Sequence, residues 1–281
     1  MLLSKQELCQ ILEKQLAFMQ NDSNLEEIQN YILKSDWFKV YNAGFKSIGA
    51  EKLPTLEQVI NLLKLKFPVQ YAINESDFMG LILYVDTSVL IPRPETEELT
   101  NWVNQEFRNQ SDLKVLDVGC GSGCIAIYLK KRNPDWKVAG LDISSNALKV
   151  AKMNASKFNV EIDFILIDFL EVKDFGAQAF DIIVSNPPYI SRQESHLMSP
   201  QTLAFEPEMA LFPKGDDPLI FYRKLAEFGL AHLNPMGKIY CEINEFLARE
   251  TEEIFKFFGY RSIEIRSDMQ GKPRMLRAQI N

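Results

Sequence analysis

Beyond residue 110 the chain alternates short, almost unbroken apolar runs with helical stretches, and this alternation restricts the possible folds more than any other feature. LKVLDV (113–118), KVAGLD (137–142), IDFILID (162–168), FDIIVS (180–185) and KIYCEI (238–243) each have strand length. Helical patterns run through Ile125 to Lys130, from Ser144 to about Phe158, and from about Pro218 to Leu233. Apolar strands separated by helices call for a parallel sheet covered on both faces. YRSIEI (260–265) and RMLRAQI (274–280) leave no room for a helix between them, so an antiparallel hairpin at one edge is expected.

The first third reads differently. Leu8, Ile11, Leu12 and Leu16 recur at helical spacing, as do Leu25, Ile28, Ile32 and Leu33. A third helix is expected over Leu56, Val59, Ile60 and Leu63 after Pro54, with Gly44 and Gly49 punctuating the preceding connection. The spacing predicts a small helical bundle over 1–67, either a stabilising cap or a partner-docking module. From Pro68 to Ile91 the bulky residues Tyr71, Phe78, Ile82, Tyr84 and Val89, with turn candidates Asn74, Gly80 and Asp86, predict a linking β-hairpin over 68–92. Pro92 and Pro94 then hold an extended lead-in, with Glu95 or Thr96 as the expected cap of the next helix. The remaining domain covers 93–281.

Composition removes several function classes. No apolar run approaches the roughly 20 residues of a membrane helix, and Lys5, Glu7, Glu13 and Lys14 break up the start of the chain, so a cytoplasmic location is expected. A net charge of -7 argues against broad, nonspecific nucleic-acid binding. Cys9, Cys120, Cys124 and Cys241 do not read as a disulfide framework, and with His196 and His232 the only histidines, imidazole-rich metal sites are not expected, while carboxylate-bound magnesium stays open. No metal is called for.

Three successive strand ends carry ligand-capable residues. Gly119, Cys120, Gly121, Ser122 and Gly123 follow the first strand; their spacing is neither that of a dinucleotide fingerprint, which excludes a dehydrogenase, nor that of a P-loop or a nucleophile elbow. Glycines at a strand-to-helix turn let a ligand approach backbone amides. Asp142, ending the second strand, can accept from both hydroxyls of a ribose. Asp168 and Phe169, ending the third, suit an adenine amino group and a stacked base. Singly each aspartate fits a helix cap; together the three strand ends favour a nucleoside cofactor.

Asn186-Pro187-Pro188-Tyr189 directly follows FDIIVS. The prolines stiffen the loop and remove competing backbone donors, while Asn186 adds a side-chain carbonyl. Such a loop offers two acceptors to an NH2 group, with Tyr189 packing flat on the planar group that bears it. Holding both N–H bonds favours a pyramidal nitrogen whose lone pair faces a methyl donor, catalysis by orientation rather than by a strong base.

At these residues the chain resembles the class I S-adenosylmethionine-dependent methyltransferases and, within them, the HemK/PrmC-type glutamine methyltransferases of peptide chain release factors. The likeness also covers YAINESDFMGLILYVDTSVLIPRPETEELT, FEPEMALF, LNPMGKIYCEI and SDMQGKPRMLRA. It departs from the family pattern at Asn74, Lys214 and Asn244, which bears on the protein-facing surface. The resemblance implies an α/β, Rossmann-like, seven-stranded and mostly parallel sheet with an antiparallel edge strand, preceded by the helical bundle and hairpin. It implies S-adenosyl-L-methionine at Gly119 to Gly123, Asp142, Asp168, Phe169 and Asn186, with S-adenosyl-L-homocysteine as product. The glutamine of a Gly-Gly-Gln loop would bind at Asn186, Pro187, Pro188 and Tyr189, with Asn186, Pro187 and Tyr189 catalytic. Arg93, Thr96 and Glu97 are expected near the site, with a helix-face charge the plainer role for Glu97. The expected partner is a release factor docked by the bundle, with no membrane or direct nucleic-acid requirement and the enzyme a monomer. An amino-methyltransferase acting on adenine or guanine in RNA or DNA, and a non-enzymatic binding protein of the same fold, stand as alternatives. The segment from Ile190 through Pro200 lacks periodicity and is expected to close over substrate.

Overall fold

The computed structural model describes residues 3–17, 24–43, 47–48, 51–173, 175–215 and 217–280. Helices α1 (Lys5–Gln15), α2 (Asn24–Lys34), α3 (Asp36–Asn42) and α4 (Leu56–Lys64) form the bundle, with a two-residue ladder of β1 (Ser47–Ile48) and β2 (Glu51–Lys52). Ser4 and Glu7 start α1, and Thr55 and Gln58 start α4, as reciprocal capping boxes that satisfy otherwise unpaired amides. Leu8, Leu12, Ile32, Trp37, Val59 and Leu63 make the buried centre of the bundle. Gly44 and Gly49 lie outside the described residues.

The bundle core runs past residue 67 to include Ala72 and Ile73, because α5 (Val69–Ile73) occupies part of the segment expected to be β. The hairpin itself is shorter than expected, β3 (Glu75–Phe78) against β4 (Leu81–Tyr84). Asn74 in the left-handed region ends α5 and turns the chain into it. Two side chains then fasten the hairpin to the rest of the chain. Glu97 accepts from the Met79 amide at the turn (2.9 Å). Buried Asn154 exchanges hydrogen bonds with the Tyr84 backbone (2.7 and 3.0 Å) and donates to the Ser122 carbonyl (3.0 Å).

The remainder is a seven-stranded sheet with helices on both sides, as the alternation predicts. Helix α6 (Pro94–Phe107) leads into β5 (Lys114–Val118), α7 (Cys124–Arg132), β6 (Lys137–Asp142), α8 (Ser145–Lys157), β7 (Asp163–Leu166) and β8 (Phe180–Ser185). Short helices α9 (Pro200–Phe205) and α10 (Glu208–Leu211) precede α11 (Ile220–His232), β9 (Leu233–Glu242), α12 (Ala248–Phe257), β10 (Ser262–Ser267) and β11 (Pro273–Gln279). Strand order is β10-β11-β9-β8-β5-β6-β7, and only β11 runs against the others. The expected hairpin lies at one edge, but its antiparallel member sits one place in, between β9 and β10. Helix α6 starts two or three residues earlier than expected: Arg93 is the cap residue and Pro94 the first helical residue, which leaves Thr96 to turn inward. No described helix is long and apolar enough to cross a membrane.

The chain runs from β5 outward through β6 to β7, then returns to place β8 on the other side of β5. Reversal of strand order opens a crevice at the strands' carboxyl ends. The glycine loop after β5 and Asn186 after β8 therefore face the same crevice.

Candidate active site

Two cavities meet at this crevice. The larger, about 400 Å³, falls within the range of roughly 300–1,000 Å³ usual for small-molecule sites. Its lining includes Gly119, Cys120, Gly121, Ser122, Asp142, Ile143, Asp168, Phe169, Asn186 and Pro188. The smaller, about 250 Å³, is lined by Asn186, Pro187, Tyr189, Glu242, Met198 and Leu211, among others. Asn186, Arg93, Leu90 and Ala210 belong to both linings.

On the first side, Asp142 ties the glycine loop to the end of β6. Its Oδ2 accepts from the Gly121 amide (2.9 Å) and its Oδ1 from the Ser144 amide (2.8 Å). Each carboxylate oxygen keeps a lone pair for a further donor, as a ribose diol requires. Burial pushes its carboxyl above the usual range, opposed by the Ser144 and Gly121 amides. Gly121 has φ +53°, and a side chain there would project into open space, so the cradle stays clear for a ligand. Asp168 spends Oδ1 on the Leu170 amide (3.1 Å).

Gly123 and Phe169 sit differently with respect to the cavity. Gly123 is absent from the cavity lining; it adopts φ +80° at the start of α7, where a Cβ would lie 3.0 Å from Ile127 Cδ1 and 3.3 Å from Ala151 Cβ. Its place is set by helix packing. Phe169 borders the cavity, its ring largely buried and packed at 66° to Phe228 (5.2 Å). Ile143, directly after Asp142 and 51% exposed, is the apolar side chain open to the cavity there.

Below the glycine loop, Asp117 is fully buried. Its Oδ2 caps α7 through the Ala126 amide (3.1 Å), its Oδ1 has no partner, and burial raises its pKa to about 7. Burial also holds the Cys120 and Cys124 thiols protonated, Cys124 at about 12.

On the second side lies a connected set of groups that the sequence pattern did not bring together. Asn186 Nδ2 donates to Thr96 Oγ1 (2.9 Å), and Thr96 Oγ1 donates to Glu242 Oε2 (2.7 Å). The Tyr189 hydroxyl donates to Glu242 Oε1 (2.7 Å). Glu242, at the end of β9, is wholly buried; burial raises its pKa, opposed by these two hydroxyls and by Arg274. Burial and the adjacent Glu242 push the Tyr189 phenol well up, so it remains a donor. Asn244 Nδ2 holds the Tyr189 carbonyl (3.2 Å) and Glu194 (2.8 Å), fixing the exit of the loop. Among the described residues, none donates to Asn186 Oδ1 or to the Pro187 carbonyl, which leaves both acceptors available.

Of the residues expected nearby, Arg93 and Thr96 are at the site and Glu97 is not, being engaged with the hairpin turn. Arg93 forms an ion pair with buried Glu206 at 2.5 Å, and Glu206 also accepts from the Ile91 amide. This pins the lead-in of α6 against the segment after Tyr189. That segment, expected to lack regular structure, holds a capped 3-10 turn over Arg192–Leu197 before α9 and α10.

Fold and site together define a methyltransferase. Residues 96–233 match the family model described as the methyltransferase small domain. The fold is similar to that of the 16S rRNA N2 G1207 methyltransferase of T. thermophilus, solved in complex with AdoMet and guanosine (TM-score 0.55, 16% identity, 74% of this chain and 50% of that one). It is also similar to a methyltransferase from Pyrococcus furiosus (TM-score 0.51, 18% identity, 71% and 88%). Curated relatives are much nearer in sequence. The release factor glutamine methyltransferase of Flavobacterium psychrophilum is 42% identical over 79% of this chain and 78% of its own. That of Bacteroides thetaiotaomicron is 38% identical over 88% of both. The chain belongs to the release factor glutamine methyltransferase family.

Proposed function

We propose that this chain transfers the methyl group of S-adenosylmethionine to the side-chain amide nitrogen of the glutamine in the Gly-Gly-Gln loop of peptide chain release factors. The observation that carries the reading is Asn186, which stands in the wall between a nucleoside-sized cavity and a smaller side-chain-sized one, with no donor to its Oδ1 among the described residues.

The residues lining the larger cavity suit the cofactor. Asp142 keeps acceptors for a ribose, Ile143 and Leu170 offer apolar surface to a base, and the open backbone at Gly119 and Gly121 gives room for the methionine part. When bound, S-adenosylmethionine supplies an electrophilic methyl on a sulfonium, transferred by displacement at carbon. In the smaller cavity Asn186 Oδ1 and the Pro187 carbonyl would each accept one N–H of the target amide. An amide nitrogen is a weak nucleophile because its lone pair is shared with the carbonyl. Two fixed acceptors favour the pyramidal form in which the pair is localised, and preorganised dipoles do this without reorganisation cost. Neither acceptor is a base at neutral pH, so the proton leaves after nitrogen has become cationic and strongly acidic. Tyr189, held by Glu242, would pack against the amide as a rigid wall.

Formation of S-adenosylhomocysteine in the presence of purified release factor tests the reading. Product should form with the native factor and not with one whose loop glutamine is replaced by alanine. Equal product with both would exclude that glutamine as the acceptor.

A further inference from the structure

Asn186 is useful only in one orientation. Its amide can rotate by half a turn about Cβ–Cγ with little change in shape, exchanging an acceptor for a donor. With NH2 towards the smaller cavity, Asn186 would confront the N–H bonds of the target with N–H bonds of its own. The native arrangement must therefore be selected by its partners.

Those partners form a directed chain. In its ionised form, which Arg274 and the two neighbouring hydroxyls favour against burial, Glu242 accepts hydrogen bonds and donates none, and so draws the protons of both hydroxyls, Thr96 Oγ1 at 2.7 Å and Tyr189 Oη at 2.7 Å. Thr96 has only one proton. Once that proton points to Glu242, Thr96 offers Asn186 nothing but lone pairs, and the group facing it at 2.9 Å has to be NH2. All the groups concerned are buried or half-buried, where an unmatched polar contact carries the full desolvation penalty. Thr100, one turn on, spends its hydroxyl on the Thr96 carbonyl (2.7 Å) and does not compete.

We infer that Thr96 and Glu242 are positioning residues that act as an orientation lock, holding the Asn186 carbonyl oxygen towards the acceptor amide. The inference rests on the reading of Asn186 as the amide-binding group. The lock joins three elements remote in sequence: the first turn of α6, the end of β8 and the end of β9. It also couples Asn186 to Tyr189, since both sides of the target pocket lean on the same carboxylate.

Thr96→Val tests the lock because it preserves shape and removes the hydroxyl. It should lower kcat for methyl transfer to a release factor by about tenfold or more, given that misplacement of reacting groups by about 1 Å costs on the order of 100-fold. S-adenosylmethionine affinity, by calorimetry, should stay within about twofold, less than 0.5 kcal/mol. Thr96→Ser restores the hydroxyl and should recover most of the loss. A Thr96→Val kcat within about threefold of wild type, under 1 kcal/mol, would overturn the inference, as would an equal loss in Thr96→Ser. A second readout needs no substrate. In protein labelled with 15N-asparagine, the Asn186 side-chain amide, assigned by its disappearance in Asn186→Ala, should show one proton protected from exchange in wild type and neither in Thr96→Val. Unchanged protection would sink the lock even if the wild type transfers no methyl, a result that by itself would count only against the proposed function.

Discussion

Gly123→Ala separates a packing role from a binding role at the glycine loop. Gly123 adopts φ +80°, and an L-residue in the left-handed region costs roughly 1–2 kcal/mol. The added methyl would also sit 3.0 Å from Ile127 Cδ1 and 3.3 Å from Ala151 Cβ. Ile127 and Ala151 are both fully buried, on α7 and α8, so neither can swing away into solvent. Overpacking of such a core typically costs about 1–3 kcal/mol, which puts the total near 2–5 kcal/mol. Because Gly123 is outside the cavity lining, the loss should fall on stability. Chemical denaturation should report it directly, while S-adenosylmethionine affinity of the folded fraction stays within about threefold, under 1 kcal/mol. Stability within about 0.5 kcal/mol of wild type, the usual range for surface changes, would refute the packing argument. Intact stability with lost affinity would return Gly123 to the binding site.

Three further outcomes follow from the site. Asp142→Asn replaces one of two ribose acceptors by a donor and should weaken S-adenosylmethionine by about 10-fold or more, since hydrogen bonds to charged groups contribute about 1.5–3 kcal/mol; calorimetry measures it. Asp117 ionises near 3.8 when unfolded but at about 7 in the fold, so between those values the native state holds the extra proton and stability falls as pH rises. Asp117→Asn should flatten the stability profile between pH 3.8 and about 7, and an unchanged slope would assign it to other groups, Glu75 first, whose carboxyl burial also raises to about 7. If the bundle docks the protein substrate, removing residues 1–67 should depress methylation of a release factor far more than S-adenosylmethionine binding, and equal losses would mark it as a structural cap.

Much of this architecture is legible in the chain because strands and ligand loops are local. Each parallel strand is an apolar run of strand length, and the residues at its end inherit the crevice from topology. Asp142 and Asn186 could be placed in this way before any coordinate was known. What stayed hidden depends on tertiary direction. Glu242 reads as the penultimate residue of a buried strand, and nothing in KIYCEI links it to Thr96, 146 positions earlier. Thr96 reads as a cap until Arg93 takes that position and turns it inward. Phe169 has the right place for a base platform, and its packing against Phe228 on α11 is a tertiary contact that its neighbours in sequence do not show. The α5 segment fails for a different reason: Val69, Tyr71 and Ile73 favour strand locally, and five residues are too few for helical periodicity to declare itself. The bundle's Trp37 and Phe38 are masked similarly in seven-residue α3.

Peptide mass spectrometry of a release factor incubated with S-adenosylmethionine and this protein tests the central claim most directly. One added methyl on the Gly-Gly-Gln glutamine, absent when Asn186→Ala replaces the wild type, is the predicted result. Methyl transfer to RNA or DNA with the release factor left unmodified, or full methylation by Asn186→Ala, would contradict it.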